Sequence, residues 1–169
     1  MITATPLSDS IVRLRRLQEA NGSIRKTQLL REFQDDANFR NFLYYALNPM
    51  LTYKISEQTL RSTIRYDSAI TLTMTDIFSV CELLSKRKAL DAGTVYQVCA
   101  FVQSSPPDEA DVYIKLLSKT LRLGVTAKTV NKVIPNLIPE WEVQQAYPID
   151  KYPLKEGTEF WLTQKLNGV

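Results

Sequence analysis

A chain of 169 residues that is 44% hydrophobic can bury one domain-sized core with a short appendage. It carries no histidine and only two cysteines, Cys81 and Cys99, so neither a zinc site nor a disulfide framework fits, and both thiols read as small core residues. No basic start followed by an apolar stretch opens the chain, and no run of about 18 apolar residues occurs as a membrane span would need. The expectation is a cytoplasmic protein without a membrane partner.

Up to residue 134 the pattern is one helix after another, each with an apolar stripe at three- and four-residue spacing. Six or seven helices are readable. Ile11, Leu14 and Leu17 mark the first, after the capping candidates Ser8 to Ser10 and before Asn21-Gly22. Ser23 begins a second with Leu30 and Phe33 inward. Asp35-Asp36 begins a third in which Phe39, Phe42, Leu43 and Ala46 share a face, and Asn48-Pro49 ends it. The stretch 51–74 is ambiguous, because its β-branched residues suit a strand while Ser56-Glu57 suits a helical turn; most of it reads as loop. Thr75 or Asp76 then opens a helix with Ile77, Val80, Cys81 and Leu84 inward. After Asp91-Ala92-Gly93 another follows, with Val95, Val98, Cys99 and Val102 inward, and the two read as an antiparallel pair. Pro106-Pro107 starts a further helix, acidic at Asp108, Glu109 and Asp111, basic towards its end at Lys119 and Arg122, and closed by Gly124.

Beyond Ile134 the composition changes. Residues 1–134 hold 18 Lys/Arg against 13 Asp/Glu, a balance of +5, whereas residues 135–169 hold 3 against 5, a balance of −2. Pro135, Pro139, Pro148 and Pro153 favour an extended connection over a long helix. After Gly157, the run TEFWLTQKL has the character of a strand and Asn167-Gly168 is a turn signal. The expected organisation is a helical domain over 1–134, a linker over 135–157 and a β segment over 158–169.

The helical part carries its clearest binding signal in LRLGVTAKTVNKVIPNLIP. There one helix is expected to end at Gly124 and another to begin behind Thr126. Free N–H groups at such a start, the Thr126 hydroxyl and the helix dipole together suit an anion such as a nucleic-acid phosphate. Lys128 and Lys132 fall one turn apart, and from Lys115 to Lys132 there are five basic residues and no acidic one. The same residues also read as an ordinary capped helix with a solvated basic face.

The order ITLTMTDIFSVCELLSKRKAL, LRLGVTAKTVNKVIPNLIP and, after a spacer, EFWLTQKLNGV resembles the amino-terminal part of a phage-type or bacterial ATP-dependent DNA ligase. The resemblance covers residues 70–169, with the first 70 as helical sequence of suitable length. It implies an all-α fold, a compact multi-helix DNA-binding domain followed by a Pro-rich linker and the first β segment of a nucleotidyltransferase domain. It implies that Lys165 is the nucleophile that takes AMP from ATP, with Mg2+ neutralising the triphosphate. Thr163 would contact the adenine and Leu166 would pack nearby. Asn167 stands where the family has aspartate, and an amide keeps only the hydrogen-bonding part of that role. Later elements of such an enzyme lie beyond Val169, so the segment alone is expected to bind neither ATP nor metal and to be inactive. As a DNA clamp it would meet duplex, and nicked duplex in the intact enzyme, through phosphate and sugar contacts from Gly124, Thr126, Lys128, Asn131 and Lys132, as a monomer. Arg13, Arg15, Arg16, Arg25 and Lys26 would extend that surface or form a solvated face. The alternative is a non-catalytic helical module that binds DNA or protein.

Overall fold

The computed structural model describes residues 6–62, 74–140, 156, 157 and 159. Every regular element among them is a helix: α1 Leu7–Glu19, α2 Ser23–Phe33, α3 Ala37–Leu47, α4 Glu57–Arg61, α5 Ile77–Lys86, α6 Ala92–Ser104, α7 Pro107–Leu117 and α8 Ala127–Asn131. The fold is all-α, as the periodicity predicts. The expected strand over 158–169 and most of the expected linker fall outside the described residues.

Helix α1 is central. It packs on α2, α3 and α7; α3 also packs on α5 and α7, α4 sits between α6 and α7, and α8 lies on α2. The stripe Ile11, Leu14 and Leu17 of α1 closes with Leu30, Phe39, Phe42, Leu43, Leu84, Leu116 and Leu117 into one core. Two aromatic contacts fix its geometry: Phe33 meets Phe39 edge-on at 5.5 Å, and Phe42 meets Phe78 edge-on at 5.0 Å. Cys81 and Cys99 are buried and free, and burial pushes the Cys81 thiol up to about 12.

The third helix is held at both ends by charge. At its start Asp36, only 2% exposed, accepts hydrogen bonds from Phe39 N at 3.1 Å, from Ser10 Oγ at 2.8 Å and from Arg13 Nη1 at 2.6 Å. The carboxylate therefore caps α3 and ties it to α1. At the other end the ammonium of Lys119 donates to the carbonyls of Tyr45, Ala46 and Asn48 at 2.9, 3.3 and 3.0 Å. An anion at the first turn and a cation at the last both agree with the helix dipole.

Three local expectations need correction, and one ambiguity is resolved. Helix α7 ends at Leu117 rather than at Gly124, because Lys119 takes a left-handed conformation (φ 59°) and turns the chain out of the helix. The following residues run extended, with Leu121 and Leu123 inward and Arg122 outward. In the ambiguous stretch after Asn48, the Ser56 signal wins: its hydroxyl accepts from Thr59 N at 3.1 Å and starts α4. The expected α5–α6 pair does not form as such, since α5 packs on α3 while α6 packs on α4 and α7. The packed unit also runs past residue 134, with Ile134 and Ile138 only 4% and 1% exposed.

Removing one partner of a buried, hydrogen-bonded charge pair costs about 3–5 kcal/mol. Asp36→Ala is therefore expected to lower the unfolding free energy by about 3 kcal/mol, read from urea denaturation, because it removes the acceptor that Arg13, Ser10 and the α3 amide share. A loss below about 1 kcal/mol would show that the carboxylate is not a structural tie.

Two exposed or partly exposed carboxylates set a pH dependence. Hydrogen bonds from the Thr94 hydroxyl and amide at the start of α6 hold Asp91 down to about 2, and Lys115 with Arg61 lowers Asp111. A depressed folded-state pKa means that the unfolded chain binds the proton more tightly, so the contribution is complete above the ordinary carboxylate value and lost below it. Stability is expected to be level above about pH 5 and to fall between about pH 4 and pH 2, with a shallower fall in Asp91→Asn. Denaturation midpoints measured at half-unit pH steps test this, and an unchanged pH profile in the variant would contradict it.

Candidate nucleic-acid interface

Many of the cations among the described residues are already committed within the fold. Arg13 pairs with Asp36, Arg15 with Asp108 and Arg16 with Glu32, while Arg61 bridges Glu57 and Asp111. Lys86, Arg87 and Lys115 pair within or beside their own helices. The guanidinium groups of Arg13 and Arg16 also lie over the Phe33 ring at 5.4 and 5.0 Å. The first helix thus turns its arginines to internal work.

Lysines serve differently, by donating to backbone carbonyls. Lys54 reaches the carbonyls of Arg87 and Lys88, Lys119 those at the end of α3, and Lys26 those of Leu123 at 3.3 Å and Gly124 at 3.1 Å. Beside Lys26, the side chain of Gln18 donates to the Arg122 carbonyl at 3.0 Å. Three successive carbonyls, 122 to 124, are therefore turned toward donors from α1 and α2.

Against this background the segment 122–132 stands out. The side chains of Arg122, Lys128 and Lys132 are exposed and enter no ion pair among the described residues. Gly124 sits at φ 65°, which glycine adopts without the steric cost of a side chain. Thr126 caps α8, its hydroxyl accepting from Thr129 N at 3.3 Å. Lys132 N donates to the Lys128 carbonyl at 3.2 Å, so the two ammonium groups lie one turn apart as their spacing predicts.

Two features of this segment depart from the sequence reading. Helix α8 has only five residues, so its dipole is small and anion attraction rests on the three side-chain charges. Asn131 is occupied: its Oδ1 accepts from Ile138 N at 2.9 Å, and its Nδ2 donates to Ile138 O at 2.7 Å and Glu140 Oε1 at 2.8 Å. With both amide hydrogens and the carbonyl engaged, this side chain fastens 131–138 into a closed turn. Glu140 faces a shallow cleft of about 430 Å3 bounded also by Tyr44, Asn136 and Leu137, so the acidic side of the turn lies there.

The other predicted site residues, Lys165, Thr163 and Leu166, lie outside the described residues. Sequence reasoning missed Gln18 and gave Lys26 only a surface role. The available signal was positional: a lysine in the first turn of a helix opposes the dipole, and its charge is better satisfied by an acceptor elsewhere.

No protein-family model matches the chain. Over 90 residues, 53% of its length, it is 26% identical to the DNA ligase of Enterobacteria phage T4, and to the same extent to that of Enterobacteria phage T6. The matched stretch amounts to 18% of each phage protein, so the chain spans less than a fifth of these curated relatives. Its fold is similar to the solved structure named Pmar-Lig_PreS3, with a TM-score of 0.59 and 22% identity over 77% of this chain and 31% of that one. The chain is thus similar to phage DNA ligases in sequence over about half of its length, and similar in fold to that solved structure.

Proposed function

We propose that the helical domain is the duplex-gripping amino-terminal region of an ATP-dependent DNA ligase that seals nicks. The observation that carries this reading is the clustering of three exposed cations without an ion pair in the short segment 122–132, whereas Arg25, Arg31, Arg40 and Lys88, which also enter no ion pair among the described residues, lie on other elements. The arginines of α1 are paired, whereas Arg122, Lys128 and Lys132 stay exposed around a glycine turn and a threonine cap in a chain similar to phage DNA ligases. Point charges on one segment suit phosphates, whose spacing does not depend on base sequence. Gly124 supplies the left-handed turn that leads into the segment, Thr126 offers a hydroxyl, and Asn131 holds the segment in shape behind the two lysines.

The adenylation part of the proposal rests on the tetrad Lys165-Leu166-Asn167-Gly168 and its neighbour Thr163. ATP would supply the adenylyl group there, with Mg2+ offsetting the charge of its triphosphate. Lys165 is the residue whose deprotonated amine suits attack on the α-phosphate, forming the N–P bond as the α–β anhydride breaks and pyrophosphate leaves, and Thr163 and Leu166 would contact the base. The protein acts on a nick as a monomer.

Fluorescence anisotropy with nicked and intact duplexes of two unrelated sequences, across a salt series, tests the grip. Affinity is expected to be independent of sequence and to fall steeply with salt. Lys128→Ala/Lys132→Ala should make the slope of log K against log salt shallower by about 2, since each phosphate contact contributes about 0.9. Absence of binding at low salt, or a strong preference for one sequence, would instead favour the helical interaction module.

A further inference from the structure

We infer that Lys26 is a positioning residue for duplex binding: it holds the 123–126 turn and so sets the presentation of Arg122, Lys128 and Lys132, without itself touching a phosphate. This rests on the DNA-grip reading and adds a residue from a different helix to it. The geometry is direct. Lys26 stands in the first turn of α2, which packs on α8, and its ammonium donates to the carbonyls of Leu123 and Gly124.

Three physical points carry the inference. First, Lys26 pairs with no carboxylate among the described residues; its charge is answered by two carbonyl dipoles, an arrangement that orders those carbonyls in one direction. Second, with Gln18 on the Arg122 carbonyl, donors from α1 and α2 cover three consecutive carbonyl oxygens. Uncovered, these partial negative charges would stand beside the cations of the same segment and weaken the pull on a phosphate. Third, a Cβ built on Gly124 would collide with the Lys26 ammonium, so the glycine leaves room for the lysine as well as taking φ 65°. The glycine and the lysine form a single device, contributed from residues about a hundred positions apart.

A positioning role and a phosphate-contacting role differ in what they do to salt dependence. Two substitutions separate them. Lys26→Met removes the ammonium, while Gly124→Ala keeps the charge and displaces it. If Lys26 positions the turn, both variants should speed amide exchange at Thr129, Val130 and Lys132. Both should also weaken duplex binding by roughly tenfold with a salt slope close to wild type, and Lys26→Arg, which can still donate to two carbonyls, should restore both readouts.

The opposite outcomes are equally readable. A slope made shallower by about 0.9 in Lys26→Met, with exchange unchanged and Gly124→Ala binding normally, would make Lys26 a phosphate ligand and overturn the inference. Faster exchange with undiminished affinity would confine Lys26 to the fold and overturn it as well. If wild type binds no duplex at all, the DNA-grip reading fails and this role with it; persistent faster exchange in the variants would mark that case, because the turn would still depend on Lys26.

Discussion

A buried carboxylate ties the sequence-local parts of this fold together. Asp36 receives the amide of its own helix, the hydroxyl of Ser10 and the guanidinium of Arg13. Because Ser10 and Arg13 lie on α1, the angle between α1 and α3 is set where the carboxylate is satisfied, and the apolar stripes of the two helices meet only in that arrangement. A buried charge is costly without partners, so alternative packings that separate the two helices are disfavoured by its desolvation. The packing of α7 against both helices, and hence the course of the chain into 121–132, builds on that pair.

The second organising constraint is the way lysines end irregular segments. Lys54, Lys119 and Lys26 each place an ammonium against backbone carbonyls that helices leave unpaired or that loops expose. The ammonium of Lys119 lies over the ring of Tyr53, at 5.1 Å, and desolvation there lowers its pKa. Used in this way, a lysine is a connector. The consequence for function is that the modest net charge conceals a division of labour, in which many described cations are engaged internally and three without an ion pair share one short segment.

Much of the architecture was legible because it follows local rules. The stripes of α1 to α3 and α5 to α7, the caps Asp36, Asp76 and Asp91, and the proline start of α7 each depend on residues within a turn or two of one another. What escaped depends on distant partners. The end of α7 looked like Gly124 because glycine is the usual terminator, yet Lys119 accepts the left-handed conformation where its amine gains three carbonyls from α3. Asn131 looked like a free hydrogen-bonding group because its partners Ile138 and Glu140 follow a turn that no local signal specifies. Ser10 looked like a cap and is instead a buried ligand of Asp36.

The candidate interface shows the same division. Thr126 as a cap and the one-turn spacing of Lys128 and Lys132 follow from the sequence alone, whereas the supporting contacts from Gln18 and Lys26 arise only when α1 and α2 fold over the segment. Backbone amide chemical-shift mapping of the 169-residue chain, titrated with a nicked duplex of arbitrary sequence, most directly tests the central claim. Shifts are expected to concentrate at residues 122–132 and in the first turn of α2, and to repeat with a second unrelated duplex. Shifts confined to α5 and α6, or none at low salt, would contradict it.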